Sequence, residues 1–501
     1  MDDRFCVEGG QSDGVIKMGC CSVKFNHIAL EGGAPIKKGG DLPITANQFV
    51  VKRYDNIEAV YILERELGRG SFGKVTLARH KETGMIRAVK TIGKSPKDFG
   101  ASMAKFCEEV EILKRIDHPN VIKIYEFYED ERSIHLATEY VDGGPLYELI
   151  VEVKKVPEQV AAHIIKQLLG AMLYCHSNHI VHRDLKLENI LLDEKSFNAN
   201  LKVIDFGLST LISTNQRLTQ CLGSAYYMAP EVFEGDYDEK CDIWSCGVLM
   251  YIILSGKLPF KGLNTYEVMH RAREGNPPFT DSGWAGISTE AVTFIKKMLC
   301  PDPKLRISAA AALQDNWLKR WRVDKSLELI TLKSLNTFHA PEKLQHAVLT
   351  VIAAHLGKSE EAKRLGEQFR MIDQNSDGRL SKEEIYTAYA TYGNSLTLTE
   401  VGRILNDIDI NGSGFIDFTE FLMACMRSDN FSNEANLKYA FAIFDIDNSK
   451  AISAVELRRV LGREVLATDE VWEEIIQKVD RNRDGEIDFD EFKTMVQKVL
   501  R

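Results

Sequence analysis

Apolar residues change their spacing several times along this chain, and each change predicts a different element. Over 61–67, 74–80 and 86–91 apolar and polar residues alternate between Gly-bearing turns, the period-2 pattern of strands. Over 105–116 Phe106, Val110 and Leu113 recur at helical spacing. From Gln159 onward helical spacing dominates, broken by Pro and Gly. The longest apolar stretch, 243–254, carries Ser245 and Gly247 and is shorter than the roughly 18 residues that span a bilayer. It is expected to be a buried core helix. After a transition at 326–369, in which Leu344, Val348, Val351, Ile352 and Leu356 predict a long amphipathic helix, one acidic unit repeats. Residues 1–52 are Gly-rich and aperiodic, and are expected to form a flexible extension without a signal-peptide core.

The acidic unit begins at Asp373, Asp409, Asp445 and Asp480, at intervals of 36, 36 and 35 residues. Such a period marks an array of similar supersecondary units. The ligand positions read Asp373, Asn375, Asp377, Arg379, Glu384 in the first segment and Asp409, Asn411, Ser413, Phe415, Glu420 in the second. They read Asp445, Asp447, Ser449, Glu456 in the third and Asp480, Asn482, Asp484, Glu486, Glu491 in the fourth. This is EF-hand spacing. Ca²⁺ is a hard cation that takes 6–8 oxygens, so alternate short side chains, one carbonyl (from Arg379, Phe415 or Glu486) and a final bidentate Glu suit it. Gly378, Gly414 and Gly485 allow the sharp turn at position 6, whereas the third loop has Lys450 there. The third loop is therefore expected to bind most weakly. The fourth, with Asp480, Asp484, Asp488 and Glu491, is expected to bind most tightly. Leu380, Ile416, Ile452 and Ile487 at position 8 are placed to pair adjacent loops through a short β contact.

The first half carries a second set of motifs. Gly68-Arg69-Gly70-Ser71-Phe72-Gly73-Lys74-Val75 leads from one predicted strand into another, which argues against a dinucleotide-binding turn. Ala88-Val89-Lys90 follows on the third strand, and Glu109 lies on the next helix in register to pair with Lys90. His182-Arg183-Asp184-Leu185-Lys186 with Asn189, Asp205-Phe206-Gly207 and Ala229-Pro230-Glu231 complete the protein-kinase signature in order. Phosphoryl transfer depends on positioning and charge neutralisation, and each motif has such a task. The ATP site is expected at Leu67, Gly68, Gly70, Gly73, Val75, Lys90, Glu109, Thr138, Glu139 and Tyr140. Asn189 and Asp205 offer oxygens to Mg²⁺, Asp184 accepts the substrate proton and Lys186 steadies the γ-phosphate.

Composition refines this picture. The 501 residues, 44% apolar and 27% charged, suit an ordinary globular protein of about three domains. The net charge of −10 argues against nucleic acid, and −9 of it lies in residues 361–501, which hold 27 acidic and 18 basic side chains. Ten scattered cysteines show no zinc or disulfide spacing and suggest a reducing, cytoplasmic compartment.

Together, kinase motifs, a junction helix and EF-hands over roughly 55–501 resemble the calcium-dependent protein kinases of plants and apicomplexan parasites. The resemblance implies a multidomain chain. A bilobal α+β kinase domain over 55–321 would be followed by an autoregulatory junction over 322–360 and an all-α calmodulin-like domain with four EF-hands over 361–501. It implies an ATP-, Mg²⁺- and Ca²⁺-dependent serine/threonine kinase, monomeric, inactive without Ca²⁺ and released when the EF-hands grip the junction helix. Glu148 and Glu188 match positions that read basic residues near the target Ser/Thr, although Pro145 stands where many relatives carry glutamate. The alternative is a catalytically inactive Ca²⁺ sensor that binds partner helices. Finally, Met18-Gly19-Cys20-Cys21-Ser22 looks like an acylated start, with myristate on Gly19 and palmitate on Cys20 or Cys21 if initiation is at Met18. Two chains would place the protein at the inner face of the plasma membrane.

Overall fold

A computed structural model describes residues 49–499, apart from 54–55, 71–72, 95–98, 154–155, 215, 281, 322–326, 341–342, 356–359, 393–395 and 462–468. Gly19, Cys20 and Cys21 lie outside the described residues.

The N-terminal lobe is built on strands β1 (Val51–Arg53), β2 (Tyr61–Gly70), β3 (Gly73–His80), β4 (Ile86–Gly93), β5 (Ile124–Glu129) and β6 (Ser133–Glu139), in the order β1-β5-β6-β4-β3-β2. Five of these form an antiparallel run, and β1 joins its edge in parallel with β5. The helix Phe99–Lys114 packs on β5 and carries Glu109 toward β4. The C-terminal lobe is helical around Lys240–Ser255, whose residues from Cys241 to Ser255 are all buried. Burial on every side, with Asp242 as its one buried charge, is the mark of a helix surrounded by protein, and the helix stops where Gly256 takes a left-handed φ of +69°. Arg306, 1% exposed, donates from Nη2 to Glu231 Oε2 at 2.9 Å and ties two ends of this lobe together.

The acidic repeats fold as helix–loop–helix units on Glu360–Ile372 and Lys382–Tyr392, Leu398–Ile408 and Phe418–Cys425, Glu434–Phe444 and Ala454–Leu461, and Asp469–Val479 and Phe489–Val499. Position-8 residues join the loops in pairs, Leu380 with Ile416 and Ile452 with Ile487, as their β-branched or apolar side chains suggested. In the second loop Asp417 and Glu420 form a capping box, so the last two ligand positions also start the exiting helix.

The amphipathic helix expected from Leu344 onward is Lys343–His355, and a second junction helix, Leu329–Thr337, precedes it and ends where the chain turns extended at Phe338 ahead of Pro341. One expectation changes: the 1–52 extension is not uniformly loose. Its last residues enter the fold, with Val51–Arg53 in the sheet and Phe49 only 2% exposed. A large apolar core runs through the kinase lobes, a smaller one around Tyr61, Val89 and Tyr128 lies in the N-terminal sheet, and a third unites the EF-hand helices with both junction helices and Phe49.

Candidate active site and calcium-binding loops

Sheet register assembles the nucleotide-facing row. Gly68 pairs with Val75, Val75 with Lys90 and Lys90 with Leu136, so the glycine-rich hairpin lies directly beside Lys90. Gly73 needs its freedom: φ is +138° and a Cβ would strike the Thr91 backbone. Leu67 and Gly70 lie on the same β2 strand, whose tip residues Ser71 and Phe72 fall outside the described set. Lys90 Nζ donates to Glu109 Oε1 at 2.8 Å and Oε2 at 3.0 Å, and reaches Asp205 Oδ1 at 3.4 Å. Burial pulls the ammonium pKa down, but Glu109 and Asp205 more than offset this and hold it above the usual lysine range. Thr138 lies opposite Ala88 and donates Oγ1 to its carbonyl at 3.3 Å. Glu139 N is fixed by the Lys123 carbonyl at 2.8 Å, and its carboxylate pairs with Lys202 at 2.8 Å. Tyr140 OH donates to Asp142 at 2.8 Å.

The catalytic loop hangs from one buried carboxylate. Asp242 Oδ2 accepts from His182 N and His176 Nε2, and Oδ1 accepts from Arg183 N, each at 2.9 Å. Burial raises its pKa, but the His176 bond and the nearby imidazoles lower it further, so the net shift is below the usual carboxylate range. Asp184 N donates to His182 Nδ1 at 3.3 Å, so Nε2 carries the proton toward the Ile204 carbonyl, also 3.3 Å away. Asp184 Oδ2 accepts from Lys186 Nζ at 2.6 Å, and Oδ1 accepts from Ser224 Oγ at 2.9 Å. Asn189 Nδ2 donates to the Asp184 carbonyl at 2.9 Å, and its own carbonyl accepts from Ile204 N, one residue before Asp205. Arg183 and Asp205 hold left-handed φ values of +67° and +62°, rare for side-chain-bearing residues and typical of over-determined functional loops. The Ile204–Asn189 backbone bond holds the Asn189 segment next to Asp205, and the side chains of Asn189 and Asp205 supply the hard oxygens that suit Mg²⁺. Glu148 and Glu188 are both exposed, on a helix and a turn that pack together, and Pro145 pairs with Leu191 beside them.

The four acidic loops share one closure. The first-position Asp accepts from the sixth-position N–H: Asp373 from Gly378 at 2.9 Å, Asp409 from Gly414 at 2.8 Å, Asp445 from Lys450 at 3.1 Å and Asp480 from Gly485 at 2.9 Å. The last-position Glu caps backbone N–H groups near the loop start: Glu384 from Gln374, Glu420 from Ile410, Glu456 from Ile446 and Glu491 from Arg481, at 2.7–3.0 Å. Asn375, Asn411 and Asn482 donate within their loops to Asp377, Asp417 and Asp484, while Ser413 and Ser449 turn their hydroxyls to the carbonyls of Phe415 and Ala451. Burial, then repulsion from Asp377 and Glu384, pushes Asp373 well above the usual carboxylate range. Burial, then Asp417, does the same to Glu420. Carboxylate oxygens of Asp445, Asp447 and Glu456 lie within 4.8 Å of one another, and buried Asp445 Oδ1 has no hydrogen-bond partner among the described residues. Crowded, partly unpaired carboxylates are what a divalent cation relieves, so the donor set fits Ca²⁺ even in the third loop.

Sequence reasoning placed these groups but missed how the EF-hand module meets the kinase. Arg379, expected only to offer a carbonyl, sends its guanidinium 5.1 Å over the Tyr174 ring and donates to Asn178 Oδ1 at 3.0 Å. A Cβ at Gly378 would sit 2.8 Å from His118 Nε2, so this glycine serves contact as well as turn. Thr419 donates N and Oγ1 to the Asp117 carboxylate at 2.9 and 2.8 Å and accepts from Lys123 Nζ at 2.7 Å. Arg370 donates to Asn200 Oδ1 at 2.6 Å, and Tyr439 OH to Glu126 Oε1 at 2.6 Å. Arg87 stacks 3.8 Å from the Tyr125 ring centroid and donates to the His355 carbonyl at 3.4 Å, at the end of the junction helix. These contacts join residues far apart in the chain, and no local pattern announces them.

Family models and known proteins match both parts of the chain. The family model described as protein kinase domain matches residues 61–318, and that described as EF-hand domain pair matches 362–426 and 434–497. Calcium-dependent protein kinase 4 of Plasmodium falciparum is 39% identical over 451 residues, 86% of this chain and 85% of its own. Calcium-dependent protein kinase 5 of the same organism is 35% identical over 487 residues, 95% and 85% of the two chains. Calcium-dependent protein kinase 21 of Arabidopsis thaliana is 36% identical over 447 residues, 89% and 84%.

Proposed function

This chain belongs to the calcium-dependent protein kinase family, and on that premise we propose that the arrangement described above is the calcium-activated one. The protein is a Ca²⁺-activated serine/threonine kinase that uses ATP and Mg²⁺. The observation that carries the further reading is the place of the junction helix Lys343–His355. Leu344, Val348, Val351 and Ile352 are at most 2% exposed, inside the core of the EF-hand module and between its two pairs. An amphipathic helix held this way by EF-hands is a released inhibitor, and its partner state would be a module that lets the helix go to block the kinase.

The chemistry follows from the positions of the chain's own groups. Lys90, held by Glu109, neutralises the α/β-phosphates. Mg²⁺ held by Asp205 and Asn189 would supply positive charge between the phosphates. Asp184, fixed on one oxygen by Lys186 and on the other by Ser224, orients the substrate hydroxyl and takes its proton. The hydroxyl oxygen then bonds to the γ-phosphorus as the bond to ADP breaks. Ca²⁺ held by the first-position Asp and last-position Glu of each loop would supply positive charge among the carboxylates gathered there.

Exposed Glu148 and Glu188 support a preference for basic residues near the target Ser/Thr, softened by Pro145. Gly19, Cys20 and Cys21 support acylation and peripheral attachment to the inner plasma membrane, and the single-chain activation logic supports a monomer. The test is phosphorylation of Ser peptides against free Ca²⁺, with Arg-bearing and Arg-free peptides compared. Activity that ignores Ca²⁺ would refute the switch, and equal rates on both peptides would refute the preference. Mass spectrometry of the natural N-terminus and light scattering of the purified protein decide acylation and oligomeric state.

A further inference from the structure

The sequence expectation for residues 1–52 leaves the segment just before the kinase motifs with nothing to do, yet the structure puts it at a three-way corner. Phe49 belongs to the apolar core of the EF-hand module, 2% exposed, with its ring 6.0 Å from that of Phe444 at 66°. The next residue, Val50, is 5% exposed and belongs to the kinase core. Val51–Arg53 then adds an edge strand to the N-terminal lobe, pairing Val51 with Glu126, Lys52 with Phe127 and Arg53 with Tyr128. Five consecutive residues therefore contact both halves of the molecule.

The partner residues converge. Phe444, under Phe49, ends the helix Glu434–Phe444, and Tyr439 lies on that same helix. Tyr439 OH donates to Glu126 Oε1 at 2.6 Å, and Glu126 is the residue opposite Val51 in the sheet. Tyr439 also meets the rings of His80 and His355 edge-on, at 5.3 and 4.5 Å. One helix of the third EF-hand is thus bound to β5 directly through Tyr439 and indirectly through 49–53. An edge strand also covers backbone groups that β5 would otherwise expose, so the pairing favours ordering of the segment only where β5 is accessible.

We propose that residues 49–53 are a clasp acting in cis, whose Phe49 side chain plugs the second EF-hand pair and whose strand anchors it to the N-terminal lobe. The calcium switch then has three parts, with this segment stabilising the docked arrangement. The proposal rests on reading that arrangement as the activated one.

The test compares the full chain with Phe49→Ala, Phe49→Leu and a chain lacking 1–53. Half-maximal free Ca²⁺ for peptide phosphorylation is measured, together with deuterium uptake across 124–129 in saturating Ca²⁺. Couplings between sites are commonly worth roughly 5–150-fold, so Phe49→Ala and the trimmed chain should need about five-fold more Ca²⁺ or beyond. Their β5 amides should exchange faster, and Phe49→Leu should stay close to the full chain. Unchanged Ca²⁺ dependence with unchanged exchange overturns the clasp. Faster exchange with an unchanged half-point reduces the segment to a structural strand and overturns its part in the switch. If the full chain itself ignores Ca²⁺, the activation reading fails, and the exchange data alone then decide whether 49–53 bind β5.

Discussion

Replacing Lys450 by glycine should improve the third calcium loop, and the expected gain can be worked out. Lys450 holds position 6 at φ +73°, where Gly378, Gly414 and Gly485 sit at +81°, +81° and +89°. A side chain in this left-handed region costs roughly 1–2 kcal/mol. Glycine brings its own entropic penalty of roughly 0.5–1 kcal/mol, so the net backbone gain is about 0.5–1 kcal/mol. The strain bears on affinity because an open loop can relax it and a metal-closed loop cannot. Removing the lysine charge adds roughly 0.5 kcal/mol per unit of metal charge at about 8 Å in water, less with salt screening. The backbone N–H that Lys450 gives Asp445 is unaffected. A total near 1 kcal/mol corresponds to about five-fold tighter binding. Calorimetric Ca²⁺ titration of the full chain reads this out: the weakest of the macroscopic constants should tighten, and Lys450→Ala should recover only the electrostatic part. An unchanged weakest constant in Lys450→Gly would refute the strain argument. If Glu456→Gln hurt binding more than Glu491→Gln, the ranking of the loops would be wrong.

Four altered chains have expected outcomes, and the second also sets the pH dependence of the wild type. Lys90→Met, which empties the place between Glu109 and Asp205, should lower kcat by about 10²–10³-fold or more while far-ultraviolet dichroism stays unchanged. Asp242→Asn keeps the shape but turns a donor toward backbone N–H groups; one unsatisfied buried donor costs about 1–3 kcal/mol, and the melting temperature should fall accordingly. Because the folded Asp242 pKa is depressed, its stabilisation is full above the unfolded carboxylate pKa and is lost as pH falls through the folded value. Wild-type melting should therefore drop in that acid range more steeply than that of Asp242→Asn. Thr419→Val removes hydrogen bonds to Asp117 and Lys123 worth about 1.5–3 kcal/mol each, and half-maximal Ca²⁺ should rise about ten-fold or more in a kinase assay. A chain ending at Ala340 lacks the helix Lys343–His355 and should show no Ca²⁺ response in the same assay.

What could be read from the sequence was what short segments encode. Kinase and EF-hand motifs are local because each needs specific backbone turns and donor spacing, and the position-8 pairs followed because consecutive loops are neighbours. Apolar spacing from Leu344 onward announced the junction helix Lys343–His355, with Pro341 just before it, whereas the nine residues of Leu329–Thr337 are too few to show a clear period. The strand Val51–Arg53 was hidden because three residues are too few for a period to show, and its reason for being a strand lies in β5. Arg379 and Thr419 look like ordinary loop residues. Their roles depend on Asn178 and Asp117, some 200 and 300 residues away, and no spacing rule reaches that far.

The two EF-hand pairs meet the kinase differently, and this locates the effect of charge. The second pair reaches the N-terminal lobe with a helix, through Tyr439 on Glu126 and Phe444 on Phe49, rather than with its loops. The first pair touches the kinase with the calcium loops themselves: Gly378 against His118, Arg379 on Tyr174, and Asp417 near Asp117. Asp417 is pushed up to about 6 by burial and then by Asp117, with Arg379 only partly compensating at 3.3 Å. Arg379 beside Asp417 and Lys123 beside Asp117 offset part of the repulsion between these two carboxylates, and a cation in the loop would offset more. Much of the −9 carried by residues 361–501 stands in such loops, so cation loading lowers repulsion at the contact in the same step that closes the loop. Calcium in the first pair should therefore favour docking even where it hardly changes the loop's shape, a coupling that depends on Asp117 as well as on the ligands.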